Sequence, residues 1–137
     1  MTALASAFPS PALHDAGEAY LCEMVFPEQA NHYGTLFGGT ALSLMGKAAF
    51  VAASRHARAP VVMATSEKIE FRQPVSVGQL VELHAWVIRE GRASMTVEVE
   101  MTAEGLTSGE RALAGRGRFE MVCVDEAGRP CPIRATG

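Results

Sequence analysis

A chain of 137 residues, 48% of them hydrophobic, suffices for one domain with its own core, burying roughly two-thirds of the surface of its unfolded form. Twelve Lys and Arg against fifteen Asp and Glu leave a formal net charge of −3, which argues against a nucleic-acid footprint or a polybasic membrane patch. Cys22, Cys123 and Cys131 are odd in number and lack metal-ligand spacing, so neither a disulfide framework nor a metal site is expected.

The first residues have neither a basic n-region nor a long apolar h-region. No signal peptide is expected, and the cytoplasm is the default compartment. Residues 1–17 hold Pro9, Pro11 and small residues and read as a loose arm ahead of a single domain over 18–137. Aromatic and aliphatic residues from Glu18 to Phe26 predict a first strand, stopped by Pro27. A loop over 27–39 ends in Gly38-Gly39, and a helix follows at once. Ala41, Leu42, Leu44, Met45, Ala48, Ala49, Phe50 and Val51 leave this helix almost no polar stripe, so it is expected to be enclosed on nearly every side. It is too short, and too interrupted by Gly46 and Lys47, to span a bilayer. Arg55, His56 and Arg58 suit its negative end, and Pro60 forbids continuation.

From Val61 the period changes to two. Val61, Met63, Thr65, Glu67, Ile69 and Phe71 fall on one face of a strand, and Val62, Ala64, Ser66, Lys68, Glu70 and Arg72 on the other. Further strands are predicted over Gln79–Arg89, Ala93–Thr102 and Arg111–Val124, the last loosened by Gly115 and Gly117. Pro74–Gly78, Glu90–Arg92, Gly105–Gly109 and Asp125–Gly128 supply the turns. The sum is α+β: an antiparallel sheet of about five to six strands curled round one long helix, with a long edge that oligomerisation would cover.

Chemistry-bearing residues cluster before and within the helix. Asn31 is either an Asx-turn residue fixing its loop or an amide that orients water or a carbonyl. His32 is the only imidazole near that loop and a weak candidate base. Gly38 and Gly39 either make a sharp turn or bare backbone N–H groups for a developing oxyanion, a donor worth about 3 kcal/mol of barrier. Gly46 costs the helix up to about 1 kcal/mol against alanine and reads as a close-packing position. Glu67 shares a strand face with Met63, Ile69 and Phe71, where desolvation would raise its pKa toward that of a general base, unless a bulge turns it outward. No phosphate loop, dinucleotide fingerprint, metal box or Ser-His-Asp arrangement is visible.

From about Tyr20 to Ile133 the chain resembles the hotdog-fold acyl-CoA thioesterases. The resemblance is carried by Ala30-Asn-His-Tyr-Gly-Thr-Leu-Phe-Gly-Gly39, by Glu67-Lys-Ile-Glu-Phe-Arg-Gln-Pro-Val-Ser-Val-Gly78, by Gly91-Arg-Ala-Ser-Met95 and by Val124-Asp-Glu-Ala-Gly-Arg-Pro130. It implies a hotdog fold, a homodimer or trimer of dimers, and a site at the dimer seam. The implied substrate is an acyl-CoA, with coenzyme A entering as part of it and no separate cofactor. Asn31 would hold the thioester or water, N–H groups near Gly39 would polarise the carbonyl, and Glu67 matches a position where relatives also carry an acid. His32, Gly38, Thr40, Arg92 and Ser94 complete the expected substrate-binding set.

One position departs from the family. Similar enzymes carry a helix aspartate fifteen residues after that asparagine, and here the position is Gly46. Losing a general base costs roughly a hundred- to ten-thousand-fold in rate. Either another acid such as Glu67 takes over, or the chain binds acyl-CoA with little turnover, or the glycine replaced an acid in an active enzyme. Ser43 and Lys47, the nearest polar helix residues, are not expected to point where residue 46 does. Gly46→Asp is expected to raise hydrolysis by about tenfold or more.

Overall fold

The computed structural model describes residues 17–133. Strand β1 (Glu18–Met24) leads through a 3-10 turn (Pro27–Gln29) to helix α1 (Gly38–Ala57), followed by β2 (Val61–Phe71), β3 (Leu80–Glu90), β4 (Ser94–Glu104) and β5 (Arg111–Cys123). All pairings are antiparallel, in the order β1-β3-β4-β5-β2. Two hairpins therefore build the centre, and α1 carries the chain across one face from edge strand β1 to edge strand β2. The helix packs against every strand. The result is the hotdog arrangement, with five strands. Gly17 already belongs to the sheet, since the Val87 N–H donates to its carbonyl at 2.8 Å; the rest of the expected arm lies outside the described residues.

The helix starts earlier than the sequence suggested. Phe37, in extended conformation, is its N-cap, so Gly38 and Gly39 form its first turn and do not precede it. Arg58 closes the other end in the left-handed region, φ 48°, its N–H donating to the Ser54 carbonyl at 2.7 Å. Ala41, Leu44, Met45, Gly46, Ala48, Ala49, Ala52 and Ala53 are buried, and this small-residue face lets the sheet approach closely. The expectation of burial on nearly every side fails within one protomer. A single curved sheet covers one side of a cylinder, and Leu42, Ser43, Lys47 and Phe50 stay exposed on the other. No described helix is long and apolar enough to cross a membrane.

In the central strands the alternation holds. Val81, Leu83, Ala85, Met95, Val97, Val99, Met101, Phe119 and Met121 point into the core. Glu98 and Arg118 pair on the outer face at 2.7 Å, and Arg111 bridges Glu82 and Glu104. β5 slips by one residue against β4 at Ala114, beside Gly115, and both Gly115 and Gly117 let neighbours in. A Cβ at Gly115 would stand 2.9 Å from the Glu70 carbonyl oxygen, and one at Gly117 would stand 3.2 Å from Met45 Cε and collide with Ile69.

Strand β2 is where simple alternation breaks. Its register against β5 shifts between Met63 and Thr65 and again between Glu67 and Glu70, and Lys68 sits at φ 54°. Two bulges change which residues face the helix. Ser66, assigned by period two to the face opposite Met63, lines the same cleft as Met63. Glu67 is exposed, opposite Arg118 in the ladder, so the burial expected for it is absent within the protomer.

Candidate active site

The loop before α1 is organised by Asn31. Its Oδ1 accepts from the N–H of Tyr33 at 2.9 Å, the N–H of Thr35 at 3.2 Å and the hydroxyl of Thr35 at 3.1 Å. Its backbone N–H donates to the Thr35 carbonyl at 2.8 Å, and Gly34 completes the turn at φ 78°. The Asx-turn reading of Asn31 is thus realised through the oxygen, and no described atom accepts from Nδ2. The loop is laced to the turn after β2, with Leu36 N–H on the Val75 carbonyl at 2.7 Å and Val77 N–H on the Gly34 carbonyl at 3.0 Å. His32 is exposed, its ring leaning on that of Tyr33 at a centroid distance of 3.9 Å.

The loop delivers the chain to a bare helix start. Ala41 N–H makes the first intrahelical bond, to the Phe37 carbonyl at 3.0 Å, and no side chain caps the turn. The N–H groups of Gly38, Gly39 and Thr40 are therefore the unpaired donors that every helix N-terminus carries, at its positive dipole end. Both glycines are exposed and Thr40 is half-buried. Beside Gly38 there is open space, whereas a Cβ at Gly39 would stand 2.7 Å from the Phe37 ring. Residue 39 thus has to lack a side chain for Phe37 to fold over the helix start.

A cleft flanks this start on each side. One, of about 340 Å³, is bounded by Leu36, Gly38, Ala41, Phe71, Pro74 and Met101. The other, of about 440 Å³, is bounded by Gly39, Leu42, Ser43 and Gly46 of α1, Met63 and Ser66 of β2, and Phe119 of β5. Its four helix residues are spaced three and four apart and form one stripe descending from the free N–H groups. Ser43 therefore shares a cleft with Gly46, against expectation, because residues three apart lie on the same side of a helix. Beyond its own helix turns, a Cβ on Gly46 would meet Met63 Cε alone, at 2.9 Å.

Other expected residues lie elsewhere. Asn31, His32 and Glu67 bound neither cleft. Arg92 lies with Ala93, Pro130 and Cys131 on a separate cleft, and Cys131 in turn borders Ala57 and Arg58 at the far end of α1. The twenty-residue helix puts about 30 Å between that end and the glycines, so one protomer does not bring Arg92 or its hairpin neighbour Ser94 to the helix start. Ser66 was missed as a site residue because period two ignores bulges, and Met63 because an apolar side chain on the inward face reads as core. The run Met63-Ala-Thr-Ser-Glu-Lys68, weak in apolar alternation, was the available signal. Among the described residues no group of three or more His, Cys, Asp or Glu could hold a metal ion.

Residues 33–110 match the model of the thioesterase superfamily. An uncharacterized acyl-CoA thioester hydrolase of Zymomonas mobilis is 36% identical over 124 residues, taking in 90% of this chain and 83% of that protein. A hexameric acyl-CoA thioesterase in its apo form superposes with a TM-score of 0.84 at 34% identity, covering 89% of this chain and 78% of that one. The acyl-CoA hydrolase of Staphylococcus aureus, in complex with butyryl coenzyme A, coenzyme A and coenzyme A disulfide, superposes at 0.83 with 29% identity, covering 89% and 74%. Structures of that enzyme also carry alanine in place of an asparagine, of an aspartate fifteen residues further on, and of a threonine seventeen beyond the aspartate.

Proposed function

This chain belongs to the acyl-CoA thioester hydrolases of the thioesterase superfamily, and from that premise we propose that it cleaves acyl-CoA to free acid and coenzyme A at the start of α1, with no metal or redox cofactor. The observation that carries the reading is the exposed Gly38-Gly39 turn, with unpaired N–H groups opening on a mainly apolar cleft. A thioester carbonyl laid on those donors gains charge stabilisation as water adds to its carbon, and collapse of the adduct expels the thiolate of coenzyme A. A thiol ionises near pH 8.5, so the leaving group asks little help from an acid. The burden falls on activating the water.

For that step the helix offers Gly46, which accepts no proton. Asn31, through its unengaged Nδ2, positions water or thioester, and Glu67 is the base we nominate, with His32 behind it. Glu67 stands on an exposed edge strand, and a second copy of the chain seated on β2 would enclose it. Exposed Val62, Met63 and Phe71 on or beside that edge support a homodimer, and a relative of this fold is hexameric. His32, Gly38, Thr40, Arg92 and Ser94 then contact substrate from two chains, the last two from the hairpin that one protomer keeps distant.

Coenzyme A release from saturated acyl-CoAs, acetyl to palmitoyl, tests the reading. Turnover above the buffer rate supports it. Micromolar binding with turnover no better than buffer removes it and leaves the second reading, a non-catalytic acyl-CoA-binding protein, which the missing helix acid favours.

A further inference from the structure

Gly46 and Met63 are complementary in shape. The helix position is buried, and apart from its two chain neighbours and the helix's own adjacent backbone only the terminal methyl of Met63 stands within 4 Å of where its Cβ would be, at 2.9 Å. Met63 reaches that spot from β2, just ahead of the first bulge, and both residues wall the cleft that descends from Gly39. The spacing adds a second, independent link. Counting from Asn31, fifteen residues lead to Gly46 and seventeen more to Met63. These are the intervals that separate the asparagine, aspartate and threonine replaced in the S. aureus enzyme. Where that enzyme has a carboxylate and a hydroxyl, this chain has no side chain and a long apolar one, and the second fills the space left by the first.

We infer that Met63 is a positioning residue coupled to Gly46: its thioether occupies the place of a water-activating group and makes that end of the cleft apolar, so that a carboxylate at 46 works only when Met63 is shortened as well. The inference rests on the hydrolase reading above. A carboxylate introduced opposite the methyl would lose water on that side and find no donor there, Ser43 and Ser66 being the cleft's other hydroxyls, a cost that a hydroxyl at position 63 reduces. Met63 is 45% exposed and its side chain has three rotatable bonds, so the single change at 46 is expected to fold with the thioether displaced.

The experiment compares the native chain, Gly46→Asp, Met63→Thr and the double variant for coenzyme A release from butyryl-CoA and palmitoyl-CoA, with calorimetric binding of coenzyme A alongside. Neither single variant is expected to reach a gain of about tenfold: the rise that sequence alone suggests for Gly46→Asp should appear only when Met63 is shortened as well. The double variant should exceed native by about tenfold or more and acquire an acidic limb in its kcat–pH profile, the signature of a titrating carboxylate base. A full gain from Gly46→Asp alone, or no gain from a double variant that still binds coenzyme A, overturns the inference. If no variant, native included, binds or cleaves acyl-CoA, the hydrolase reading falls and takes the inference with it. Should the Asp variants fail to fold, the melting temperatures of Gly46→Ala, Met63→Ala and their combination decide. The combined variant should recover stability lost by Gly46→Ala, and strictly additive losses overturn the coupling.

Discussion

Thr35 donates twice to one oxygen of Asn31, through its backbone N–H at 3.2 Å and its hydroxyl at 3.1 Å. The two halves of the Asn31 amide therefore have separable duties, the oxygen holding the loop and the nitrogen remaining available. Asn31→Ala should lose about 1 kcal/mol of stability as those donors turn to water, and hydrolysis with it. Asn31→Asp keeps an Asx-turn acceptor and should hold stability while lowering kcat/KM. Urea denaturation beside coenzyme A release reads both; an Asp variant as active as native would strip the nitrogen of its role.

Glu67→Gln removes a proton acceptor from an exposed strand position without changing its volume. If Glu67 activates water in an assembled site, turnover should drop about a hundredfold, with melting temperature and sedimentation unchanged. Unaltered turnover dismisses it.

Gly115→Ala should destabilise the fold by about 1–3 kcal/mol, because the new methyl would press on the Glu70 carbonyl and a backbone atom cannot rotate aside. Gly38→Ala, with open space at its Cβ, should melt close to native. Thermal melts of the two variants give the contrast, and equal melting temperatures would contradict it.

Cys123 and Cys131 hold their sulfurs 3.4 Å apart where the C-terminal segment returns along β5, Cys131 N–H donating to the Cys123 carbonyl at 2.9 Å. Oxidised glutathione should link them. The more accessible Cys131 thiolate attacks the small disulfide and releases one glutathione, and the Cys123 thiolate then displaces the second. Mass spectrometry should show the loss of two hydrogens, reversed by dithiothreitol; a stable mixed disulfide on Cys131 alone would contradict the pairing.

Most of the fold was legible because its signals are local and regular. The switch from helical spacing to period two at Val61 divides α1 from β2, and the clean alternation of Met95, Val97, Val99 and Met101 fixes the inward face of β4. The site was only half legible. Asn31, Gly38, Gly39 and Gly46 are marked by residue type and spacing. Ser66 reaches the cleft only through a bulge, which is settled by pairing with β5 and leaves no trace in a two-residue period, and Met63, though on the expected face, carries no chemistry that would mark it. The exposure of Leu42 and Phe50 was hidden for a related reason, since composition cannot tell how much of a helix one sheet will cover.

The irregularity of β2 bears on open-ended assembly. Growth of a fibre by repeated strand addition needs a straight border with evenly spaced donors and acceptors, and here the border is interrupted around Ala64 and again at Lys68. The opposite border, β1, is seven residues long and is followed closely by Pro27. A chain with 48% hydrophobic residues thus presents no long straight template for open-ended strand addition, and a single second copy seated on β2 would close that border without starting a fibre.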